Sequence, residues 1–145
     1  MQLTTKGRYA VTAMLDLASN ESAKPVTLDM ISQRQNISLS YLEQLFAKLR
    51  KASLVKSVRG PGGGYLLNVS AEDVSLTQII EAVDENIDLR RCHGSKNCLR
   101  GKQCLSHHLW CEVSDQIRGF LSSRNLQQVM DDYYTNQDIK VKLTV

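Results

Sequence analysis

The chain has 145 residues, of which 42% are hydrophobic and 23% are charged, so it accommodates one globular domain and excludes a low-complexity chain. No run of 18 or more apolar residues occurs, and the N-terminus lacks the unbroken apolar stretch of a signal peptide. We therefore expect a cytoplasmic protein with no membrane partner, whose four cysteines stay reduced and are available as ligands.

The net charge is only +3, but the basic residues are concentrated in the first half of the chain. Residues 1–67 contain nine basic and four acidic side chains, whereas the remaining 78 residues contain nine basic and eleven acidic ones. A basic half joined to a slightly acidic remainder favours an anionic partner for the first half, such as double-stranded DNA.

Two helical patterns open the chain. From Thr5 to Asn20, apolar residues recur at the spacing of an amphipathic helix, namely Val11, Met14, Leu15 and Ala18. Lys24-Pro25 breaks this pattern, and Thr27 then has the character of an N-cap for a short helix that ends at Arg34.

A third helix and a hairpin follow. Ser40 and Glu43 have the spacing of a capping box, and the apolar face after them comprises Leu42, Leu45, Phe46 and Leu49. Residues 54–58 alternate in polarity, residues 59–64 are rich in glycine and residues 65–67 are apolar, which predicts a β-hairpin. Three helices followed by a hairpin are the order of a winged helix-turn-helix domain, in which the hairpin is the wing.

Beyond the hairpin we expect a helix capped by Ser75 and Gln78, a polar loop over residues 84–104, and a long helix. The apolar stripe of the long helix comprises Leu105, Leu109, Val113, Ile117, Phe120 and Leu121. The small winged helix-turn-helix domain cannot bury this whole stripe, so we expect a homodimer. Packing of the stripe within one monomer is the alternative. Asn125 is the expected cap of a last short helix, and a loose tail is expected from Thr135 onward.

The loop carries a candidate metal centre. Three cysteines and a histidine are spaced as Cys92-x5-Cys98-x5-Cys104-x2-His107. Such a ligand set also suits structural zinc, but zinc sites usually contain two cysteines separated by two to four residues. The wider spacing favours an iron–sulfur cluster, whose ligands reach more than one metal atom. His108 and Cys111 share a helical face with Cys104 and His107, so either is a possible substitute ligand.

These patterns predict a mainly α-helical fold with one small β-hairpin. We expect a DNA-binding domain over residues 1–83, a cluster-binding loop over 84–104, a dimerisation helix and a C-terminal helix over 105–134, and a flexible tail over 135–145. We find no nucleophile paired with a base, and the glycines of the hairpin tip lack the following Lys-Ser/Thr of a phosphate-binding loop, so an enzyme is not expected.

Several stretches resemble the IscR family of bacterial iron–sulfur cluster regulators. These are LTTKGRYAVTAMLDLA, ISLSYLEQLFAKLRKASLVKSVRGPGGGYLL, AVDE and the four predicted ligands, and the resemblance covers roughly residues 1–130. It implies a winged-helix homodimer that ligates a [2Fe-2S] cluster through Cys92, Cys98, Cys104 and His107. It also implies a repressor or activator of cluster-assembly genes, with the cluster-assembly machinery as cluster donor. Cys111 departs from the usual family pattern.

The resemblance also assigns the recognition helix to Ser38–Lys51 and the wing contact to Arg59 and Gly60. The residues that we expect to contact DNA are Ser38, Ser40, Tyr41, Glu43, Gln44, Lys48, Arg50, Arg59 and Gly60. Gln44 can bond an adenine edge with both amide atoms, and Arg59 can enter a narrow minor groove. Glu43 is repelled by phosphates unless it accepts from cytosine, so it can make site choice sensitive to small helix shifts.

Two other functions use parts of the same pattern. A zinc-stapled DNA-binding protein needs the wing but gains nothing from a histidine ligand, which is a weaker link than a thiolate. An iron–sulfur electron carrier needs the ligands but not the wing. The combination of both features favours a cluster-sensing transcription regulator.

Overall fold

The computed structural model describes residues 5–20, 24–90 and 92–144, with side chains described as far as residue 138. Six α-helices and one antiparallel hairpin form in these ranges, which confirms the mainly α-helical class. The helices are α1 (Thr5–Asn20), α2 (Leu28–Gln35), α3 (Leu39–Lys51), α4 (Leu76–Ala82), α5 (His107–Ser122) and α6 (Leu126–Thr144). The strands are β1 (Val55–Val58) and β2 (Gly64–Leu67), and a short 3-10 turn spans Ala71–Asp73.

Helices α2 and α3 form a helix-turn-helix whose ends are capped by side chains. Thr27 accepts a hydrogen bond from the Met30 N–H, as expected for an N-cap. The cap of α3 is Ser38, which accepts from the Tyr41 N–H at 3.3 Å. The capping box predicted at Ser40 is therefore wrong, because the cap lies two residues earlier, at Ser38, and the helix begins at Leu39.

The core lies where α1, α3 and α4 meet. The largest fully buried side chains are Phe46, Met14, Leu17, Ile31, Leu42, Leu45, Leu49, Ile79, Ile80, Leu126, Val55 and Val74. Helix α3 contributes the four apolar residues of its predicted face, so its opposite face is left to solvent. Leu126 belongs to α6, and the C-terminal helix therefore packs on the same core as the first helices.

The wing is held against the helices by backbone pairing and by an aromatic contact. Val26 and Tyr65 exchange two backbone hydrogen bonds, at 3.0 and 2.7 Å, which form an isolated antiparallel bridge beside the hairpin. Gly64 is required beside this pair, because a Cβ there would lie 2.5 Å from the Val26 carbonyl oxygen. The Tyr65 ring also packs on Phe46 of α3, so the wing and the third helix have a fixed relation.

A buried ion pair joins α1 to α2. The Asp16 side chain is only 1% exposed, and its oxygens accept from Arg34 at 2.6 and 3.0 Å and from Gln35 at 2.7 Å. The sequence pattern shows Asp16 only as an interruption of an apolar helix, because its partner is 18 residues away.

The second half of the chain differs from the expectation at its end. Ser75 and Gln78 form the predicted capping box of α4. Asn125 accepts from the Gln128 N–H at 2.8 Å and so caps α6. That helix is long rather than short and continues to Thr144, so the loose tail expected from Thr135 is instead helical. Residue 145 lies outside the described residues.

None of the helices in the described residues is both long enough and apolar enough to cross a membrane.

Replacing Arg34 with methionine is expected to lower the free energy of unfolding by about 2 kcal/mol, because the buried Asp16 carboxylate loses its cation. The loss is smaller than for a fully buried pair, since the Arg34 side chain is 37% exposed. Urea unfolding followed by circular dichroism measures it. The double variant Asp16→Leu/Arg34→Met leaves no charge unpaired and should regain most of the stability. A single variant as stable as the parent would contradict the expectation.

Candidate metal centre and nucleic-acid interface

The four predicted ligands come from the connection between α4 and α5 and from the first residue of α5. Cys92 and Cys98 lie in the loop, Cys104 lies just before α5, and His107 begins the helix. The loop turns sharply enough to bring them together because several of its residues have a positive φ. Gly94, at φ +90°, and Gly101, at φ +78°, adopt such backbone without strain.

Three of the four predicted ligands converge on one point. His107 Nδ1 lies 3.5 Å from Cys92 Sγ and 3.6 Å from Cys98 Sγ. The ligand atoms of these three residues all lie within 4.8 Å of one another. Cys92 and His107 are buried, so the site is shielded on that side from water.

Cys104 lies beside this group rather than within it. Its backbone N–H donates to Cys98 Sγ at 3.1 Å, and its thiol contacts the Cys98 thiol. The Cys104 side chain is also 3.7 Å from the Ser106 hydroxyl. The fourth ligand is thus adjacent to the other three and lines the same cavity.

The thiols influence each other's ionisation. Burial raises the pKa of Cys92, but the backbone N–H groups of the following turn outweigh it, and the pKa is lowered. The Cys104 N–H favours the Cys98 thiolate, but burial and the neighbouring thiols outweigh this donor, so the pKa of Cys98 is raised. The pKa of Cys104 is lowered, first by its contact with Cys98 and then by Ser106. Three sulfurs this close hold their negative charge best when a cation lies among them.

The four ligand side chains line a cavity of about 280 Å³ together with three apolar residues. The apolar lining residues are Leu89, Leu99 and Trp110. Arg90 and Ser106 complete the lining. The cavity is larger than a single four-coordinate ion requires, because such an ion sits about 2.0–2.3 Å from each ligand.

Cys111 contacts His107 from the other side of the ring. Its Sγ lies 3.4 Å from His107 Nε2, whereas Nδ1 faces the loop cysteines. Arg90 lies 3.9 Å from the same sulfur and forms an ion pair with Asp88 at 2.7 Å. The contact favours Cys111 as a support for the histidine ring rather than a ligand, because metal-bound histidines commonly use the second nitrogen to bond a neighbouring group.

Sequence reasoning did not identify Asp88 and Arg90. The Arg90 guanidinium lowers the pKa of Asp88 to about 2, and the carboxylate also lies 3.5 Å from the Ser114 hydroxyl of α5. Asp88 and Arg90 are two residues apart, but their contacts on α5, Ser114 and Cys111, lie 26 and 21 residues away along the chain, so no local pattern indicates their role. His108, considered as a substitute ligand, instead accepts from the Gln103 amide at 2.8 Å.

The predicted DNA-contacting residues lie on the solvent side of α3 and at the tip of the wing. Those that are exposed are Ser38, Ser40, Glu43, Gln44, Arg50, Arg59 and Gly60. Lys48 is half-buried and forms an ion pair with Asp84. Tyr41 is also half-buried and packs edge-on against Tyr9, so part of its ring supports α1. The contacts of these residues with DNA stay predictions.

Helix α5 has an exposed apolar surface. Its only buried residues are His107 and Ser114, whereas Leu109, Trp110 and Phe120 are 53%, 40% and 57% exposed. Large apolar residues in this number on one helix are typical of a surface that a partner covers.

Comparisons with known proteins agree with this arrangement. Residues 3–132 match the family model Rrf2, described as an iron-dependent transcriptional regulator. The chain is 56% identical over 132 residues to the HTH-type transcriptional regulator IscR of Photorhabdus laumondii, covering 91% of this chain and 80% of that protein.

Solved structures give the same result. The structure of IscR from T. potens aligns with a TM-score of 0.76 at 38% identity, covering 92% of this chain and 88% of that one. The structure of CymR, the global cysteine regulator of B. subtilis, aligns with a TM-score of 0.77 at 33% identity, covering 89% and 95%. The winged helix-turn-helix architecture expected from the sequence is thereby confirmed.

Two cysteine substitutions distinguish a metal ligand, predicted for Cys104, from a residue that only contacts the His107 ring, as proposed for Cys111. We expect Cys104→Ala to purify, in the absence of oxygen, with most of its metal lost, because a ligand is removed. Cys111→Ala should keep its metal, since losing a supporting contact costs about tenfold in affinity. Iron and zinc content per chain measures both, with the parent protein as control. Equal losses in the two variants would make Cys111 a ligand.

Proposed function

The chain belongs to the Rrf2 family of transcriptional regulators, and on this basis we propose that it is a DNA-binding transcription regulator that senses an iron–sulfur cluster. Its targets are genes for cluster assembly, which it represses or activates, and it acts by binding rather than by catalysis. The relatives that support this assignment are named IscR, and one of them is 56% identical over most of the chain.

The observation that carries the proposal is the convergence of Cys92, Cys98 and His107, with Cys104 beside them, on one cavity. Three thiolates and one imidazole are a donor set that iron–sulfur clusters accept. The cavity of about 280 Å³ has room for a group larger than a single ion, and Leu89, Leu99 and Trp110 form part of its lining. The donor set therefore fits a [2Fe-2S] cluster held by these four residues.

When bound, such a cluster supplies a redox-active centre whose potential is higher with one imidazole ligand than with four thiolates. The chain's own residues determine how the centre is held. The backbone N–H groups after Cys92 favour its thiolate, and burial of His107 keeps the ring in one orientation. The cluster-assembly machinery is the proposed cluster donor, and the cytoplasm is the proposed compartment.

DNA binding is assigned to the exposed face of α3 and to the wing. Helix α3 buries one face in the core, so Ser40, Glu43 and Gln44 are free to face a major groove. Gln44 can pair with an adenine edge, and Ser40 can hold a phosphate. Arg59 precedes the tight turn of the wing and is exposed, which suits insertion into a narrow minor groove.

A second copy of the chain is the proposed occupant of the apolar surface of α5. Leu109, Trp110 and Phe120 are more than a third exposed in the single chain, and two copies related by a two-fold axis would cover them. Such a dimer presents two recognition helices, as half-sites one helical turn apart require.

Cluster loading at the predicted ligand loop would act on the two DNA-binding domains of this dimer. His107 begins α5, and the loop before it starts directly after α4, which packs on α1 and α3 in the core. Cluster loading changes DNA affinity only to the extent that the cluster binds one arrangement of the two heads more tightly than another.

A structural zinc site is the second candidate. The distances of 3.5 and 3.6 Å between His107 Nδ1 and the two sulfurs are compatible with neighbouring ligands of one tetrahedral ion. A protein with such a site would still bind DNA but would not sense an iron–sulfur cluster.

Purification without oxygen distinguishes the two candidates. We expect visible charge-transfer bands with equal iron and sulfide in the parent protein, and an altered spectrum with weaker retention in His107→Ala. His107→Cys is the matched control, because it restores a fourth ligand and should keep the bands at a lower reduction potential. A colourless parent with about one zinc per chain would support the structural zinc site instead.

The recognition helix is tested with paired glutamine substitutions. Operators are first selected from a random pool of duplexes with the parent protein. Gln44→Ala is expected to weaken binding to the selected operator by about tenfold, because a base contact is lost, and to leave binding to unrelated DNA unchanged. Gln33→Ala changes an exposed glutamine of α2 and serves as control. Equal effects of Gln44→Ala on both kinds of DNA would contradict a base-reading role.

A further inference from the structure

An acidic residue of the loop contacts the proposed recognition helix. Lys48 Nζ of α3 lies 3.0 Å from Asp84 Oδ2. Asp84 is the first residue of the predicted ligand loop, two residues beyond the end of α4. The ion pair therefore joins the loop to the face of α3 that is assigned to DNA.

The surroundings of Asp84 are basic. Besides Lys48, Lys51 of α3 and Lys6 of α1 are close enough to stabilise its carboxylate, and together the three lysines lower the pKa of Asp84. The negative end of the α4 dipole disfavours a carboxylate at this place, so the lysines offset an unfavourable position. The position itself is specific, because Asp84 has a φ of +60°, which aspartate and asparagine tolerate better than most residues.

The Asp84 carboxylate is bonded to the Lys48 ammonium group, to which a DNA phosphate would otherwise bind. Both partners are partly exposed, 39% for the Lys48 side chain and 73% for Asp84, so the pair can open without unfolding the protein. An exposed pair contributes little to stability. Its effect is instead expected in DNA binding, where Lys48 must exchange one anionic partner for another.

We propose that Asp84 is an internal competitor of the DNA phosphate for Lys48 and so weakens DNA binding. The inference rests on the proposed function as a DNA-binding regulator. It adds a residue outside the recognition helix that adjusts affinity without reading sequence.

The described residues between Asp84 and the first predicted ligand are attached to α5. Ile87 is buried, and the Leu89 N–H donates to the Ser114 hydroxyl of α5 at 2.9 Å. Asp88 Oδ1 lies 3.5 Å from the same hydroxyl, and Arg90 lies 3.9 Å from Cys111 Sγ of α5. Asp84 therefore begins a segment that contacts α3 at one end and α5 at the other.

The test compares Asp84→Asn with the parent protein on a duplex of about 30 base pairs of mixed sequence, which is long enough to contact both recognition helices of a dimer. Asparagine keeps the shape and tolerates the positive φ, so only the charge is lost. Asp73→Asn is the matched control, because it makes the same change at another exposed aspartate. Each substitution is also made together with Lys48→Gln, which completes a double-mutant cycle.

Binding is measured by fluorescence anisotropy at low and high salt. We expect Asp84→Asn to tighten binding of a dimer by about fivefold at low salt, and less at high salt, where exposed charges are screened. The gain should be absent when Lys48 is already replaced, and Asp73→Asn should have no effect.

Two results would overturn the inference. One is unchanged affinity in Asp84→Asn, and the other is an equal gain with and without Lys48, which would reflect net charge alone. A parent protein that binds neither mixed-sequence nor selected duplex would instead refute the proposed function, so the two failures are distinguishable.

Discussion

The position of the His107 imidazole is the constraint on which the ligand site depends. The ring begins α5, is 4% exposed, and has sulfur near both nitrogens, with Cys92 and Cys98 on one side and Cys111 on the other. The preceding loop closes over this ring, since Cys92 and Cys98 both contact its Nδ1. The turns at Gly94 and Gly101 allow that closure, and the cavity between the cysteines and α5 is its consequence.

The head of the molecule is organised by a similar fixed contact, between Phe46 and Tyr65. Tyr65 pairs through its backbone with Val26, so the wing is attached both to α3 and to the segment before α2. Helix α3 and the wing thus keep one relative orientation, as two elements must if they are to read neighbouring grooves of one duplex. The buried Asp16–Arg34 pair secures α2 against α1 in the same unit.

The segment that starts at Asp84 contacts both the helix-turn-helix part of the molecule and the part that contains the predicted ligands. It begins at Asp84 beside Lys48, passes the buried Ile87 and reaches Cys92 through residues bonded to α5. Regulation by a bound group requires that two states of a protein differ in contacts at both sites. In this fold the Lys48–Asp84 pair lies eight residues before Cys92 in the chain, so the predicted ligand loop begins at the face of α3 that is proposed to bind DNA.

The sequence alone determined the elements whose signals are local. The bounds of α1, the caps at Thr27 and Ser75, the hairpin and the ligand spacing follow from periodicity, capping residues and glycines, and the resemblance supplied the family. The cap of α3 was misplaced because Ser38 and Ser40 both have capping character, and only packing decides where the helix starts. The predicted last helix was too short, because a polar sequence gives a weak helical pattern. The tertiary structure decided what depends on distant residues: the Asp16–Arg34 pair, the contacts of Asp88 and Arg90 with α5, and the contact of Asp84 with Lys48. None of these has a sequence signature, because each joins side chains that meet only after the chain has folded.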